Sequence, residues 1–132
     1  MDNIIFSLTR VPDAITDKVI YRVNVLLVPE KTVQACLQAY RKGNFYGAVR
    51  GRGLLRFTSI LFDGAHLRAS FDRVANIQVI SKQGVAKWGR GSSIDFTVAS
   101  SDRLKHGYLR VRAFTSGGDA ETVFSQPFML TP

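Results

Sequence analysis

Residues 31–62 read KTVQACLQAYRKGNFYGAVRGRGLLRFTSILF, a run that passes from helical to strand-like apolar spacing across a glycine-rich middle. At its start, four apolar residues follow the i, i+3, i+4, i+7 spacing of a helix with one apolar side. They are Val33, Cys36, Leu37 and Tyr40. Pro29 suits the first turn of such a helix, and Gly43 is placed to end it. The pattern therefore predicts one principal helix, from Pro29 to Lys42, with this stripe turned to the core.

Alternating apolar residues before and after the helix predict strands of an antiparallel sheet. The predicted strands lie at residues 19–28, 54–62, 65–71, 74–80, 94–98, 108–114 and 122–130. The chain has no internal repeat and no linker-like stretch, so residues 1–132 form one domain with a short N-terminal arm at about residues 1–17. We expect an α+β fold, in which a mainly antiparallel sheet of about six or seven strands packs against the one principal helix.

Two glycine-rich segments carry much of the basic and aromatic character, and both are predicted to be loops. Residues 44–53 read NFYGAVRGRG and residues 84–93 read GVAKWGRGSS. The first belongs to a stretch without an acidic residue between Glu30 and Asp63, in a chain of formal net charge +8. This excess favours an anionic partner, either nucleic acid or a membrane surface. The predicted anion-binding residues are Arg41, Lys42, Arg50, Arg52, Arg56, Lys87 and Arg90.

Four aromatic residues near these cations allow two interpretations. They are Phe45, Tyr46, Trp88 and Tyr108. Their rings either meet bases or a membrane interface, or fold back and cap the core. The strand at 108–114 presents the same alternatives, because Tyr108, Arg110, Arg112 and Phe114 alternate along one side of it. Such a side is usually only solvated, and the alternative is a platform on which single-stranded RNA stacks.

Residue types that catalyse reactions or bind metals are sparse and scattered. His66 and His106 stand in different segments without cysteine or carboxylate at metal-ligand spacing, and Cys36 is the single cysteine. We therefore predict no metal site, no cofactor and no enzymatic activity. No apolar run approaches the roughly 20 residues of a membrane-crossing helix, and the N-terminus lacks the features of a secretory signal. We expect a soluble protein made inside a cell.

An apolar strand, a helix led by proline and glutamate, a Phe-Tyr-Gly sequence, a basic glycine turn and another apolar strand follow one another along the chain. These are residues 21–27, 33–40, 45–47, 51–57 and 61–69, and residues 107–117 add the late strand GYLRVRAFTSG. The pattern, over roughly two thirds of the chain, resembles the core of matrix proteins from negative-strand RNA viruses, especially the rhabdovirus-like ones. The resemblance implies a self-associating protein of the virion and host cytoplasm that binds the anionic inner membrane face and the ribonucleoprotein.

This chain departs from that family in two respects. It does not carry the long, basic, proline-rich N-terminal tail of the animal members. Its four prolines stand singly, so we do not expect a late-domain motif that recruits the host budding machinery.

Three hypotheses about function follow from these observations. The first is a non-enzymatic structural protein of matrix type that self-associates and bridges an anionic membrane surface and the ribonucleoprotein. The second is a protein that binds single-stranded RNA or DNA with a basic and aromatic surface. The third is a capsid or tail assembly subunit.

Overall fold

The structure, a computed structural model, describes residues 2–12, 19–49, 55–116 and 121–131, with the backbone alone for residues 2–12 and 19–24. Nine strands and two α-helices form within these ranges. The strands are β1 (Asp2–Pro12), β2 (Val19–Val28), β3 (Phe45–Val49), β4 (Phe57–Phe62), β5 (His66–Ser81), β6 (Gly84–Thr97), β7 (Tyr108–Phe114), β8 (Thr122–Ser125) and β9 (Phe128–Met129). The helices are α1 (Val33–Lys42) and α2 (Arg103–His106), and a 3-10 turn, Ser100–Asp102, precedes the second.

The strands join one antiparallel sheet with the order β1-β2-β3-β8-β7-β5-β4, to which β6 adds by pairing with β5 and β9 by pairing with β7. The predicted α+β architecture is confirmed. The sheet has more strands than the six or seven expected, because the N-terminal arm pairs along β2 as the edge strand β1 and the short segments β3 and β9 also join.

The 16-residue strand β5 makes the sheet curl. Its first half pairs with β4 and its second half with β7, while β6 runs along both halves. The register with β6 shifts between Ser70 and Ala75, where an irregularity of this kind bends a strand. Residues of both halves belong to one apolar core, so the two parts of the sheet enclose that core between them. The sequence predicted two separate strands at 65–71 and 74–80.

A two-residue period divides each strand between the core and the opposite side of the sheet. In β7, Leu109, Val111 and Ala113 are fully buried, and Ile77 and Val79 of β5 lie beside them in the same core. The residues between them point away from this core. The sheet therefore has an inner face that holds the fold together and a separate outer face.

The ends of α1 are set by two local hydrogen-bonding groups. The Thr32 hydroxyl accepts a hydrogen bond from the Ala35 N–H at 3.1 Å, so Thr32 is the N-cap and the helix begins at Val33. The prediction that the helix starts at Pro29 is wrong, because the cap lies after it. Gly43 ends the helix as predicted, since its φ of 73° is the left-handed conformation that glycine adopts without strain.

The helix α1 turns a different side to the sheet from the one predicted. Ala35 and Ala39 are buried against Leu26 and Val28 of β2, and Cys36 is partly buried with them. The other members of the predicted stripe, Val33, Leu37 and Tyr40, are 79%, 51% and 58% exposed. The two alanines carry the contact because a small side chain allows the helix to approach the sheet closely.

Both glycine-rich segments contain strands, so the prediction of two loops is wrong for their described residues. Phe45–Val49 forms β3, which lies between β2 and β8 in the middle of the sheet. Residues 84–93 lie within β6. Trp88 and Arg90 consequently sit on a strand, not at the tip of a loop. Residues 50–54 lie outside the described residues.

Candidate functional site

The outer face carries a band of aromatic, basic and amide side chains across β6, β5, β7 and β8. Directly paired residues of neighbouring strands point to the same side of a sheet, so the register defines rows of adjacent side chains. One row contains Trp88, Gln78, Arg112 and Phe124, and the next contains Arg90, Asn76, Phe114 and Thr122. The band is thus assembled from two pairs of consecutive strands, β5 with β6 and β7 with β8, which the pairing of β5 with β7 brings together.

Strand β7 supplies the middle of this band. Its outward residues are Tyr108, Arg110, Arg112 and Phe114, and all four are partly exposed. The residues that alternate with them are fully buried in the core, which fixes the outward direction of the four. The structure therefore brings together the residues that the alternation of this strand predicted.

An exposed tryptophan meets a second ring on this surface. Trp88 is 55% exposed, and its ring centroid lies 5.9 Å from that of Phe114, with 53° between the ring planes. Because β5 runs between the two strands, the indole reaches across it to make this contact. The two rings together form an aromatic surface that is open to solvent at Trp88.

Arg112 is held in place by the same cluster. Its guanidinium carbon lies 4.8 Å from the centre of the Phe114 ring, within the range of a cation–π contact. Its Nη1 also donates a hydrogen bond to Gln78 Oε1 at 3.2 Å. The guanidinium is therefore packed on the aromatic surface and extends it.

Arg110 has a different environment. Its Nε is buried and has no hydrogen-bond partner among the described residues. Its two terminal nitrogens also make no hydrogen bond there, and neither of them is buried. The side chain is thus packed along its length while its terminal donors reach the surface without a partner.

Described carboxylates do not pair with the arginines of this band. None of the residues in the two rows of the band, or at the outward positions of β7, is acidic, and Arg90, Arg110 and Arg112 form no ion pair with a described residue. Four basic residues elsewhere are paired. Arg56 and Arg73 contact Asp72, and His66 and Arg68 contact Asp95. Within the described structure, the positive charge of the band is therefore not offset by an ion pair.

The seven predicted anion-binding residues are not brought together as one surface in the described structure. Arg41 and Lys42 are exposed at the end of α1, and Arg90 lies on the outer face. Arg56 is occupied by Asp72, through hydrogen bonds from its backbone N–H at 2.9 Å and its Nε at 3.5 Å. Arg50 and Arg52 lie outside the described residues.

Lys87, another of the predicted anion-binding residues, does not lie on the outer face. It pairs with Val79, a core residue, so it points to the opposite side of β6 from Trp88 and Arg90. Its Nζ donates a hydrogen bond to the Asp95 carbonyl oxygen at 2.6 Å. Lys87 is therefore exposed but hydrogen-bonded to its own strand, and it is not part of the outer face.

The four predicted aromatic residues divide into two pairs. Trp88 and Tyr108 lie on the outer face. Tyr46 is 1% exposed, and its ring packs edge-on against Phe57 with centroids 4.9 Å apart, so its prediction as a stacking residue is wrong. Burial raises the pKa of its hydroxyl well above the usual 10.0. Phe45 stacks on Tyr40 of α1 at 6.1 Å and belongs to the small core beneath that helix.

Sequence reasoning missed the contributions of Phe124 and Gln78 to the band. In TVFS of β8, the buried Val123 and Ser125 alternate with Thr122 and Phe124, a signal that identifies the two outward residues of the strand. Nothing local in the sequence indicates that Gln78 lies beside Arg112, because that neighbour is set by the pairing of β5 with β7, which are distant in sequence.

A serine–histidine contact lies outside this band. The Ser81 hydroxyl is 3.0 Å from His106 Nδ1 and accepts a hydrogen bond from the Gln83 N–H. Ser81 is 3% exposed, so this contact joins the turn after β5 to α2 inside the protein.

Metal-binding side chains do not gather in the described part of the chain, where no three His, Cys, Asp or Glu residues are placed to hold an ion together. None of the described helices is long and apolar enough to cross a membrane. Comparison with protein-family models, with curated proteins and with solved structures finds no match to this chain. Function is therefore inferred from the chemistry of the outer face.

Proposed function

We propose that the protein binds single-stranded nucleic acid on its outer face. The observation that carries this proposal is that the exposed Trp88 and the Arg112 guanidinium both contact the Phe114 ring, in a band whose described residues include no acidic one. The bases of a single strand expose their faces, and these stack on aromatic rings and on guanidinium planes with little regard to sequence. The uncompensated arginines beside them attract the phosphates.

The net charge supports the same class of partner. A chain with 18 Lys and Arg against 10 Asp and Glu attracts polyanions over long distances. On the outer face this general attraction coincides with rings that can contact bases. An electrostatic surface without such rings would bind single and double strands through their phosphates alone.

The matrix-type role remains a prediction with less support from the geometry. Binding at a membrane interface needs aromatic side chains that enter the headgroup region. Tyr46 lies in the core, Phe45 packs beneath α1, and Trp88 lies on a strand against Phe114. The virion localisation and the assembly-subunit hypothesis likewise remain predictions.

Self-association is a second function that a specific observation favours. The exposed Val33 and Leu37 of α1 lie beside a groove of about 430 Å³ that is lined largely by apolar side chains, among them Leu26 and Cys36. Exposed apolar surface of this kind commonly marks a protein interface. We expect the mass measured by light scattering to rise with protein concentration. Leu37→Glu should suppress that rise, and Leu104→Glu, at another exposed leucine on α2, should not.

The binding proposal is tested by fluorescence anisotropy with a labelled oligothymidine of about 15 nucleotides, a length that covers the usual site size of one single-strand-binding domain. We expect binding that weakens with added salt and that is tighter than for a duplex of equal length. Trp88→Ala should lower the affinity roughly ten-fold, since one stacked base contributes about 1–3 kcal/mol. Leu104→Ala, which also truncates an exposed apolar side chain, should leave it unchanged.

Two results would contradict the proposal. One is the absence of oligonucleotide binding at low salt by a folded protein. The other is equal affinity for single strand and duplex that Trp88→Ala does not alter. Flotation of nuclease-treated protein with phosphatidylserine-rich vesicles but not with neutral ones, together with either result, would favour the matrix-type role.

A further inference from the structure

We infer that the outer face binds one nucleotide at two separate contact sites: Arg110 contacts the phosphate, and the cluster of Trp88, Phe114 and Arg112 holds the base. This inference rests on the proposed function and goes beyond it, because it assigns opposite roles to two arginines only two residues apart on one strand. Two arginines so close together would otherwise be expected to contact phosphates in the same way.

Arg110 is suited to a phosphate because its terminal donors are not buried and no described residue uses them. With Nε buried, the guanidinium cannot turn freely, and no described residue accepts a hydrogen bond from its terminal nitrogens. Planar guanidinium donors held in one orientation match the oxygens of a phosphate. No described serine, glutamine or carboxylate is hydrogen-bonded to Arg110, so none of them competes with such an anion.

Arg112 is suited to a base instead. Its Nη1 is already bonded to Gln78, and its guanidinium lies over the Phe114 ring. Bases stack on guanidinium planes as they do on aromatic side chains. Trp88 lies against the same Phe114 ring, so the three side chains form one continuous stacking area.

The spacing of the two arginines agrees with this division of roles. They occupy alternate positions of β7 and therefore lie about 7 Å apart along the strand on the same side of the sheet. One extended nucleotide can thus place its base on the cluster and its phosphate beside Arg110. Tyr108 follows on the same side of the strand, beyond Arg110.

Two probes distinguish the two contact sites: oligothymidine, and a strand of the same length whose nucleotides lack bases. Arg110→Met should lower the affinity for both by the same factor, roughly ten-fold, since both carry phosphates. It should also reduce the slope of log affinity against log salt by about 0.7, the value for one phosphate contact on a single strand. Trp88→Ala should lower only the affinity for oligothymidine and leave the salt slope unchanged.

Stability measurements distinguish a binding role of Arg110 from a structural one. Methionine keeps much of the apolar stem and removes the buried donor that has no partner, so Arg110→Met should not lower the urea midpoint of unfolding. The charge control is Arg68→Met, which removes one positive charge at an exposed position beside Asp95 and should leave the salt slope nearly unchanged.

The inference is overturned if Arg110→Met binds both probes like the unmodified protein, or if Arg68→Met reduces the salt slope as much. It is also overturned if Arg110→Met affects oligothymidine alone, because Arg110 would then contact a base. Failure of the unmodified protein to bind either probe would instead contradict the proposed function itself.

Discussion

The Phe124 ring of β8 covers Gly47 of β3 so closely that a β-carbon at position 47 would lie 2.5 Å from Phe124 Cζ. The two residues are paired in the register of these strands, on the side of the sheet that carries the basic and aromatic band. Because Gly47 has no side chain, the Phe124 ring has room to lie beside Arg112. A glycine that reads as part of a loop is in fact required by packing in the middle of the sheet.

We predict that Gly47→Ala lowers the free energy of unfolding by about 1–3 kcal/mol, because the added methyl group must displace an aromatic ring. Urea denaturation measures this loss. In a chain that already carries Phe124→Ala, the same substitution should cost much less, since the truncated side chain leaves room for the methyl group. Gly89→Ala is the matched control, because a β-carbon there would meet Ile94 Cδ1 at an ordinary 3.8 Å. An equal loss in Gly89→Ala, or an equal cost of Gly47→Ala in the chain with Phe124→Ala, would show that the ring does not cover Gly47.

The orientation of α1 gives a second prediction. Leu37→Ala should change the free energy of unfolding by less than about 0.5 kcal/mol, because this leucine is 51% exposed. Ala39→Leu should lower it by roughly 1–3 kcal/mol, because Ala39 is buried against β2 and has no room for a larger side chain. If thermal or urea unfolding gave the reverse order, the apolar stripe expected from the sequence would face the sheet after all.

The carboxylate of Asp72 makes stability depend on acid. Burial works against its charged form, but the hydrogen bonds from the Arg56 backbone and the Arg73 side chain outweigh it and lower the pKa of Asp72 below the usual 3.8. A group with a lowered folded-state pKa stabilises the protein above its unfolded-state pKa, and that stabilisation is lost as the pH falls through the folded-state value. We predict that Asp72→Asn is less stable than the unmodified protein at neutral pH, by on the order of 1 kcal/mol.

The difference in the free energy of unfolding between the two proteins should shrink as the pH falls below 3.8. The Asp72 carboxylate then becomes protonated and is uncharged, like asparagine. Urea unfolding across that range measures the difference. Asp102→Asn is the control, since the Asp102 side chain accepts no hydrogen bond from a described residue. A pH-independent difference would mean that the stability lost in Asp72→Asn does not come from the charge of Asp72.

A buried carboxylate connects the start of β4 to the start of β8. Glu121 is 4% exposed, and its Oε2 accepts a hydrogen bond from the Leu55 N–H at 2.6 Å. We predict that Glu121→Leu lowers the free energy of unfolding by about 1–3 kcal/mol, because the buried N–H loses its acceptor. Glu121→Gln keeps an acceptor oxygen and should lose less. Equal losses in the two variants, measured by urea unfolding, would indicate that the hydrogen bond to Leu55 is not what Glu121 contributes.

Several features could be predicted from local sequence because their causes are local. The alternation in β7 separates Leu109, Val111 and Ala113 from the four residues of the outer face, and burial follows that alternation. Gly43 ends α1 as predicted, because the helix needs a left-handed residue there. The α+β architecture follows in the same way from the periods of the apolar residues.

Other predictions failed where neighbours decide the outcome. The stripe of Val33, Leu37 and Tyr40 has helical spacing, yet Ala35 and Ala39 face the sheet, because only a small side chain fits the close approach to β2. The glycines near Trp88 indicate a loop, yet the segment is β6, because pairing along β5 satisfies its backbone.

The sequence by itself determined the antiparallel α+β fold, the end of α1 and the basic and aromatic side of β7, since each depends on residues a few positions apart. Only the tertiary structure decided that Trp88 meets Phe114, that Phe124 covers Gly47 and that Tyr46 belongs to the core. Those relationships depend on which strands become neighbours and in what register. That choice is made by burying the whole core at once, and no short stretch of the chain specifies it.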